Sequence, residues 1–439
     1  LSGNYTYITR NGWHHNIKGG SAQAESISVS PNQTELDGTK NLSLNYNTQK
    51  FFNDTLKFKA TGYARKTDTG YDHYADREAE GTNIMYALQS SLEKRENGKQ
   101  DLFTAHVHVY DRVYDEAEKN KYYSQSYTLK AQRILNLSEN LSYGFGSDYN
   151  YNKGDFQVYG SYGSSAEGHS DDLGIFSNFG YKINDTTILS AHLRGDSHKY
   201  SGENVTYRVN GTKIFENLKV SLSESTGLRH PDLYVLHGGN PGSVYNGAFK
   251  AMLTTKPETS LTRELSFKYD LSDNISFGTT AYEGSVSDVL NRSSSKGGYN
   301  ETIDIEQKGI ENIFELQDGN QKLTLTNTLS KSREGNGRPQ LRRPEKQYGV
   351  KYSKQLISSI IGPFSLSYDY RHIGKTEDWV GSFRKDTDST DIMNLNLSKE
   401  IFRNRFSVGI TNLTDEVYQR PYGYQQEGRR INLSFRSKY

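Results

Sequence analysis

The chain has 439 residues, of which 33% are hydrophobic and 24% are charged, and it contains no cysteine. Its 53 Lys and Arg residues nearly balance its 52 Asp and Glu residues, giving a formal net charge of +1. This balance argues against nucleic-acid binding driven by bulk positive charge. A mean hydropathy of -0.83 and the lack of any apolar run approaching about 18 residues exclude transmembrane helices.

Tyrosine and glycine are unusually frequent for a chain with so few aliphatic residues. The sequence has 33 Tyr and 40 Gly but only 8 Pro, and aromatic residues make up 12% of it. A soluble domain of this length needs a larger apolar core, and a disordered chain has few aromatic residues. A transmembrane β-barrel fits both observations, because it needs only a thin apolar band with aromatic girdles. The absence of cysteine excludes a disulfide scaffold and thiolate metal sites.

Period-two alternation of apolar and polar residues recurs along the chain, and helical periodicity does not. In residues 101–110, Phe103 and Val107 share one face, and Thr104 and His106 share the other. The same pattern recurs in residues 323–329, 348–352, 364–370, 393–397, 406–410 and 431–439. We expect each run to belong to a strand of about 8–11 residues, the length that a tilted strand needs to cross a bilayer. One face of such a strand meets lipid and the other meets water.

Two kinds of connection separate these runs. Short, turn-like ones lie at residues 184–185, 272–274 and 402–404. Long polar ones span residues 67–81, 111–121, 227–256, 332–343 and 375–390. Alternating short and long connections are typical of an outer-membrane barrel, in which periplasmic turns are short and extracellular loops are long. About 20 strands of such a barrel fit the length of the chain. A secreted all-β protein, such as a large sandwich or propeller, is the alternative.

Six short motifs follow one another in the second half of the chain. They are GLRHPDL (227–233), KPETS with Glu264 (256–264), QKGIE (307–311), RRP (342–344), GITNLTDEVY (409–418), and YGY with EGRR (422–430). Their order and sequences resemble the motifs of TonB-dependent outer-membrane receptors, and GITNLTDEVY resembles the penultimate-strand motif of that family. Two earlier segments, GYDHY (70–74) and DRVYD (111–115), resemble loops of the cobalamin receptor. Within the family, the chain is therefore most similar to the cobalamin receptor barrel.

The resemblance implies an all-β fold, a transmembrane antiparallel β-barrel of about 22 strands when complete. Residues 1–439 then form one outer-membrane β-barrel domain, and the family's plug domain is not in this sequence. Leu1 falls within an early barrel strand and no signal peptide is visible, so we expect a cleaved, split or truncated product without its first strand. Since an open barrel edge leaves unpaired backbone groups in lipid, we expect a plug domain or N-terminal fragment on another polypeptide.

The function that the resemblance implies is transport. Such a barrel binds a scarce nutrient, cobalamin or an iron complex, through extracellular loops and passes it into the periplasm of a Gram-negative bacterium. A TonB-type energy-coupling protein acts through the plug, and outer-membrane lipid and lipopolysaccharide surround the barrel. A passive, plugless, porin-like pore is the alternative. We predict no enzymatic activity, because no glycine-rich phosphate loop, HExxH motif or nucleophile elbow is present.

Five carboxylates in and beside the two receptor-like segments are candidate calcium ligands, because acidic residues of the corresponding loops bind calcium in the cobalamin receptor. They are Asp68, Asp72, Asp76, Asp111 and Asp115. Calcium takes about six to eight oxygen ligands, which clustered Asp residues and backbone carbonyls can supply. The alternative is that these residues are ordinary solvated acidic loop tips.

Three tyrosines near these acids and one histidine are candidate ligand-binding residues. Tyr71, Tyr74 and Tyr114 can stack on a flat small-molecule ligand, or they belong to the aromatic girdle of the barrel. His237 lies where haem receptors of the family carry an axial histidine. Calcium is the one cofactor that we expect, and we expect no nucleic-acid partner.

Overall fold

The computed structural model describes residues 2–27, 36–73, 77–115, 119–159, 164–237, 256–293, 298–360, 362–380 and 383–437. Within these ranges the chain forms 23 β-strands and one short α-helix. No helix in the described ranges has the length and apolar character that crossing a membrane requires. The strands are β1 (Ser2–Ile8), β2 (His14–Ile27), β3 (Leu36–Phe51), β4 (Leu56–His73), β5 (Arg77–Glu96), β6 (Lys99–Asp115), β7 (Lys119–Asn136), β8 (Leu141–Val158), β9 (Ser164–Asn184), β10 (Thr187–His198), β11 (Gly202–Phe215), β12 (Leu218–Arg229), β13 (Glu258–Ser272), β14 (Ile275–Ser293), β15 (Gly298–Asp318), β16 (Gln321–Glu334), β17 (Lys346–Ser358), β18 (Gly362–Ile373), β19 (Thr376–Val380), β20 (Phe383–Thr387), β21 (Thr390–Ile401), β22 (Asn404–Thr411) and β23 (Arg430–Ser437), and the helix is α1 (Leu233–His237).

Of these strands, 21 form one antiparallel sheet in which neighbours in sequence are neighbours in space. Strand β18 pairs with β21, because β19 and β20 form a separate hairpin in the connection between them. Among the described residues, β1 pairs with β2 alone and β23 pairs with β22 alone. This up-and-down order confirms the predicted antiparallel barrel class, with one strand fewer than the complete barrel of about 22.

The two faces of the sheet differ in chemistry, and the difference identifies the lumen. On β3, Leu42 and Leu44 are 62% and 51% exposed, while Asn41, Ser43 and Asn45 alternate with them. Because the outer face of a membrane barrel is apolar and successive side chains point to opposite faces, the leucines face lipid and the polar residues face the lumen. Directly paired residues lie on the same face, so the register assigns faces to the other strands.

Connections at the two ends of the sheet differ in length, as predicted. One end has tight turns, at residues 97–98, 185–186, 273–274, 319–320 and 402–403 among others. The other end carries the connection between β12 and β13, which contains α1, together with the β19–β20 hairpin and the connection between β22 and β23. Because periplasmic turns are short in outer-membrane barrels, the second end corresponds to the extracellular end of such barrels.

The strands are longer than the predicted length of about 8–11 residues, and two segments predicted as long loops are mostly strand. Strands β9 and β15 each have 21 residues. In the predicted loop at 67–81, β4 runs to His73 and β5 begins at Arg77, and in the predicted loop at 111–121, β6 runs to Asp115 and β7 begins at Lys119. The backbone ladder continues into water beyond the lipid, where both faces are polar and the alternating pattern ends.

Candidate functional site

The connection after β12 folds back against the lumen face of the sheet. Its helix α1 packs on β8 and β9, and Leu236 is 0% exposed there. The carboxylate of Asp232 accepts a hydrogen bond from the N–H of Val235 at 2.9 Å, which stabilises the first turn of the helix. Since Asp232 belongs to the GLRHPDL motif, this motif ends β12 and starts the helix.

His237, the predicted haem ligand, ends α1 and lies between the barrel wall and Tyr200. A Cβ atom on Gly168 of β9 would lie 2.1 Å from Cδ2 of His237, so glycine is required for this close approach. The Tyr200 ring packs edge-on with 5.3 Å between centroids, and Nε2 of His237 is buried without a hydrogen-bond partner. Burial lowers the pKa of His237 below its usual value. Its role as an axial ligand stays a prediction.

A cavity of about 570 Å³, called here the lumen cavity, lies beside α1 on the lumen face of β7 to β10. Most of the side chains around it are serine, asparagine, aspartate and histidine. The lining residues are Ser124, Gln125, Ser126, Asn150, Asn152, Phe156, Ser170, Asp172, His198, His230, Pro231, Asp232, Leu233 and Tyr234. A concave site in the mouth of a barrel, with a few convergent polar groups, is a typical place for a small ligand.

Charged side chains border the lumen cavity on its periplasmic side. Arg194 Nη1 and Nη2 donate to the two carboxylate oxygens of Asp148 at 2.7 and 2.9 Å, and Nε donates to Asp196 at 2.8 Å. Asp172 is farther from the guanidinium, with Oδ2 at 3.9 Å from Nη2. Lys130, which pairs with Asp148 across β7 and β8, adds a second cation. Three carboxylates against these two cations leave an excess of negative charge in this part of the wall.

Two histidines stack at the extracellular side of the lumen cavity. The rings of His198 and His230 have 4.2 Å between centroids and are 12° from parallel. The Ser201 hydroxyl lies 2.8 Å from Nδ1 of His198 and 2.7 Å from Nδ1 of His230. Burial lowers the pKa of His230, and the nearby carboxylates of Asp172 and Asp196 offset only part of this effect.

Five aromatic residues, called here the aromatic row, continue from α1 along the lumen face towards β4. The centroid distances are 5.4 Å for Phe156 and Tyr234, 6.1 Å for Tyr234 and Tyr122, 6.0 Å for Tyr122 and Tyr114, and 5.8 Å for Tyr114 and Tyr71. Three of these four pairs are edge-to-face, a favourable aromatic geometry. The structure thus brings together Tyr71 and Tyr114, two of the predicted ligand-binding residues, and adds three aromatic side chains to them.

The first of the predicted calcium ligands, Asp68, lies on the opposite face of the wall. Leu42 on the lipid-facing side of β3 pairs with Lys66, and Asp68 is two residues farther along β4. Asp68 accepts a hydrogen bond from the Thr82 hydroxyl at 2.8 Å and forms an ion pair with Lys66 at 3.0 Å. Its carboxylate therefore lies outside the lumen.

Asp111 and Asp115 lie on the outer face as well. Thr82, the partner of Asp68, pairs with Val113 between them. Two strand spacings, about 10 Å, separate β4 from β6, so Asp68 and these residues do not share one ion site.

The remaining predicted ligands cannot be placed in the same way. Tyr74, Asp76 and the side chain of Asp72 lie outside the described residues. Within the ranges that the structure describes, no group of three or more His, Asp or Glu side chains is arranged to hold a metal ion. Calcium binding stays a prediction.

A second buried carboxylate joins the extracellular connections. Asp378 of β19 is 1% exposed and accepts hydrogen bonds from Arg342 Nε at 2.9 Å and from the N–H groups of Trp379 and Tyr422 at 2.8 and 2.9 Å. Burial raises the pKa of Asp378, but the Tyr422 N–H, Arg342 and the Trp379 N–H together hold it below its usual value. Through Asp378, the RRP motif is linked to the β19–β20 hairpin and to the connection before β23.

The sequence-based prediction did not include Asp172, Arg194, His198 or His230. The available signal was the polar residue at every second place of β8 to β10, and the position of His230 in the GLRHPDL motif. Neither signal states which strands are neighbours or where the connection after β12 folds. Strand register and the packing of α1 bring these residues together, and a single sequence contains no measure of either.

Residues 2–413 match the family model described as TonB dependent receptor-like, beta-barrel. The siderophore receptor PirA from Acinetobacter baumannii has a TM-score of 0.80 at 14% identity, covering 99% of this chain and 76% of that one. The FrpB iron transporter from Neisseria meningitidis has a TM-score of 0.81 at 11% identity, covering 98% of this chain and 79% of that one. The copper transporter OprC has a TM-score of 0.77 at 12% identity, covering 99% of this chain and 79% of that one.

Structural similarity at these identities shows the fold alone. The family model, in contrast, matches nearly the whole chain, and GITNLTDEVY lies in and directly after β22, the penultimate strand of the sheet, as the resemblance predicts. The chain belongs to the TonB-dependent receptor-like β-barrel family.

Proposed function

We propose that the chain is the barrel of a TonB-dependent transporter in the outer membrane of a Gram-negative bacterium, and that it takes up a metal complex of an organic chelator. The observation that carries this proposal is the aromatic row beside the lumen cavity at the extracellular end of the barrel. The names of the similar structures, a siderophore receptor, an iron transporter and a copper transporter, support it. Family and neighbours are receptors and transporters, and no chemical step is assigned to the barrel.

The aromatic row and the lumen cavity suit different parts of such a cargo. The tyrosine rings of the row can stack on flat rings of a chelator. Hydroxyl and amide groups of Ser126, Asn150 and Asn152 line the cavity and can bind its polar atoms. The excess negative charge around Asp148 and Asp196 opposes a strongly anionic complex and favours a neutral or cationic one. Cobalamin and ferric siderophores of low net charge both meet this condition.

A growth assay tests the proposal in a strain that depends on this receptor for metal uptake. Ferric siderophores of different net charge and cobalamin are supplied one at a time. We expect growth on a neutral or cationic complex, and the double variant Tyr114→Ala, Tyr122→Ala should need about tenfold more of it, since aromatic anchors dominate binding sites. The matched control is Tyr127→Ala, Tyr149→Ala, because these tyrosines lie on the lipid face. Growth on none of the complexes, or an unchanged requirement in the Tyr114, Tyr122 variant, would overturn the proposal.

We propose further that the working receptor has a plug and a closing strand in addition to the strands that the structure describes. Within the described ranges the sheet has 21 strands in alternating directions, so β1 and β23 run the same way and cannot pair antiparallel with each other. A strand of the opposite direction would satisfy both edges in lipid. Mass spectrometry of the detergent-purified particle should find plug and strand peptides beyond residues 1–439, either in the same polypeptide or in a second one. A particle that consists of residues 1–439 alone and has a large, ungated conductance in a bilayer would instead support a porin-like pore.

Calcium is proposed as a ligand of the outer face rather than of the lumen cavity. Asp111 and Asp115 face outwards at the extracellular end, beside the expected position of lipopolysaccharide, whose phosphate groups are further oxygen ligands for this cation. We expect calcium to raise the stability of the barrel in lipopolysaccharide-containing bilayers and to do so less in Asp111→Asn. An equal effect of calcium in both proteins would remove Asp111 from the site.

A further inference from the structure

One carboxylate oxygen of the lumen cavity lacks a partner. Asp172 is 8% exposed, and its Oδ2 is 3.4 Å from Nδ2 of Asn150, which donates to it. Oδ1 is buried and accepts no hydrogen bond. Nε2 of His230 lies 3.6 Å from Oδ1, which is too far for a hydrogen bond. A buried carboxylate oxygen without a partner is costly unless a ligand supplies one.

The hydrogen bonds around Ser201 determine which nitrogen of His230 carries a proton. The N–H groups of Tyr200 and Ser201 donate to Nδ1 of His198 at 3.3 and 3.2 Å, so this Nδ1 is an acceptor. The Ser201 hydroxyl, 2.8 Å from the same atom, must donate to it, because two acceptors would otherwise face each other. Ser201 Oγ then accepts from Nδ1–H of His230 at 2.7 Å. In the neutral imidazole, Nε2 of His230 is therefore unprotonated and has a free lone pair.

Two acceptor atoms thus face each other across 3.6 Å, His230 Nε2 and Asp172 Oδ1. A tetrahedral metal ion with bonds of about 2.0–2.1 Å to nitrogen and oxygen holds two ligand atoms about 3.4 Å apart. The observed distance fits this geometry. The surrounding charge also suits a cation, since Asp148, Asp172 and Asp196 outnumber Arg194 and Lys130.

We propose that His230 Nε2 and Asp172 Oδ1 bind a divalent transition-metal ion, such as Zn²⁺, Cu²⁺ or Ni²⁺, in the lumen cavity. Imidazole together with a carboxylate suits these ions. Because the described residues contain no set of three metal-binding side chains, the remaining coordination positions are filled by water or by donor atoms of a chelator. An ion held by two protein ligands exchanges readily, which suits passage rather than permanent retention.

Metal binding at this site does not depend on the proposed transport function. The role of the site as a contact for a metal-containing cargo, in contrast, rests on the proposed function. The hydrogen bond from Nδ1–H to Ser201 orients the His230 ring, in the way that partners of metal-bound histidines usually do. Ser201 is thus a positioning residue of this site.

The test is a titration of the chelator-treated, detergent-purified protein with Zn²⁺, Cu²⁺ and Ni²⁺, followed by calorimetry. We expect saturable binding of at least one of these ions, weakened about tenfold or more in Asp172→Asn and in His230→Gln. The matched controls are Asp171→Asn and His169→Gln, whose side chains lie on the opposite face of β9, and their affinity should match that of the unmodified protein. Heat-modifiable migration on gels verifies that each variant forms a barrel.

No saturable binding by the unmodified protein, or equal binding in Asp172→Asn and Asp171→Asn, would overturn the inference. Growth on metal complexes is measured separately. Intact growth with no binding of free ions overturns this site alone, whereas intact ion binding with no growth overturns the proposed transport alone.

Discussion

Two buried aspartates, Asp172 in the lumen wall and Asp378 among the extracellular connections, have different surroundings. Asp378 accepts hydrogen bonds from one side chain and two backbone N–H groups. Asp172 accepts one weak hydrogen bond at Oδ2 and none at Oδ1. Both are nearly inaccessible to solvent, at 8% and 1% exposure respectively, so burial alone does not separate their roles.

The difference shows in which of the two regions the buried carboxylate finds all its hydrogen-bond donors within the chain. The connections around Asp378 supply hydrogen-bond donors for both oxygens of its carboxylate, as expected of a buried group with a structural role. The wall around Asp172 leaves an acceptor directed at a cavity, and such a group is satisfied by a ligand. Substitutions in the two regions should therefore have opposite consequences, stability being lost in one region and binding in the other.

Replacement of Arg194 by alanine is expected to have the largest effect. Asp148 and Asp196 would then be close together without their cation, and loss of one partner of a buried ion pair costs about 3–5 kcal/mol. We expect the free energy of unfolding in urea to fall by about this amount. The control is Arg208→Ala, an exposed arginine of the neighbouring β11, for which a change of about 0.5 kcal/mol or less is expected. Equal losses in the two variants would contradict the assignment of the charged cluster.

Asp378→Ala should have the next largest effect, confined to the extracellular connections. The N–H groups of Trp379 and Tyr422 lose their acceptor, and each unsatisfied donor costs about 1–3 kcal/mol. Hydrogen exchange in β19 and β20 should show a local opening free energy lower by about 2 kcal/mol. Asp386→Ala in the same hairpin, an exposed aspartate, should leave exchange unchanged. Unchanged exchange in Asp378→Ala would show that other contacts hold the extracellular connections together.

A pH titration sharpens the role of Asp378. Since its pKa is lowered in the folded protein, its contribution to stability is complete above the unfolded value of about 3.9 and is lost as the pH falls through the lowered value. The fluorescence of Trp379, in a Trp13→Phe background, should therefore stay constant at pH 5 and change only below about pH 3.9. The transition should disappear in Asp378→Asn. A midpoint above pH 4 would show that another group is responsible.

Asp172→Asn is expected to have the smallest effect on stability. The substitution removes little stabilising interaction, because Oδ1 has no hydrogen-bond partner, and a neutral amide costs less free energy to bury than a charged carboxylate. The free energy of unfolding should change by less than about 1 kcal/mol and should rise if it changes. The free energies of unfolding in urea of Asp172→Asn and Asp378→Asn, measured under the same conditions, provide the comparison. A loss in Asp172→Asn as large as that in Asp378→Asn would mean that both aspartates are structural.

Much of the fold could be predicted because it depends on local chemistry. Leu42 and Leu44 alternate with polar residues as a lipid-facing strand requires, and GITNLTDEVY lies where the family motif predicts. Strand ends were missed, since beyond the lipid neither face of a strand needs to be apolar. In β4, for example, the strand continues to His73 with polar residues on both sides.

The candidate site was predicted less well, because its geometry depends on register. Tyr71 and Tyr114 were predicted together and do lie in one aromatic row. Asp68 and Asp111 were expected beside them, but they point away from the lumen. A shift of one residue along a strand reverses the face of every side chain, and pairing with a neighbour whose outer face is known is needed to place each one.

Composition, period-two alternation and family motifs were enough to identify a membrane β-barrel of the TonB-dependent receptor family, since lipid constrains every outer-face residue of a strand within the bilayer. The inner face has no such constraint, because polar side chains of any kind are compatible with a lumen. Three features depend on contacts between residues far apart in the chain. They are the packing of α1 on β8 and β9, the proximity of His230 to Asp172, and the hydrogen bonds that Asp378 accepts. Such contacts depend on tertiary packing, and local sequence does not encode them.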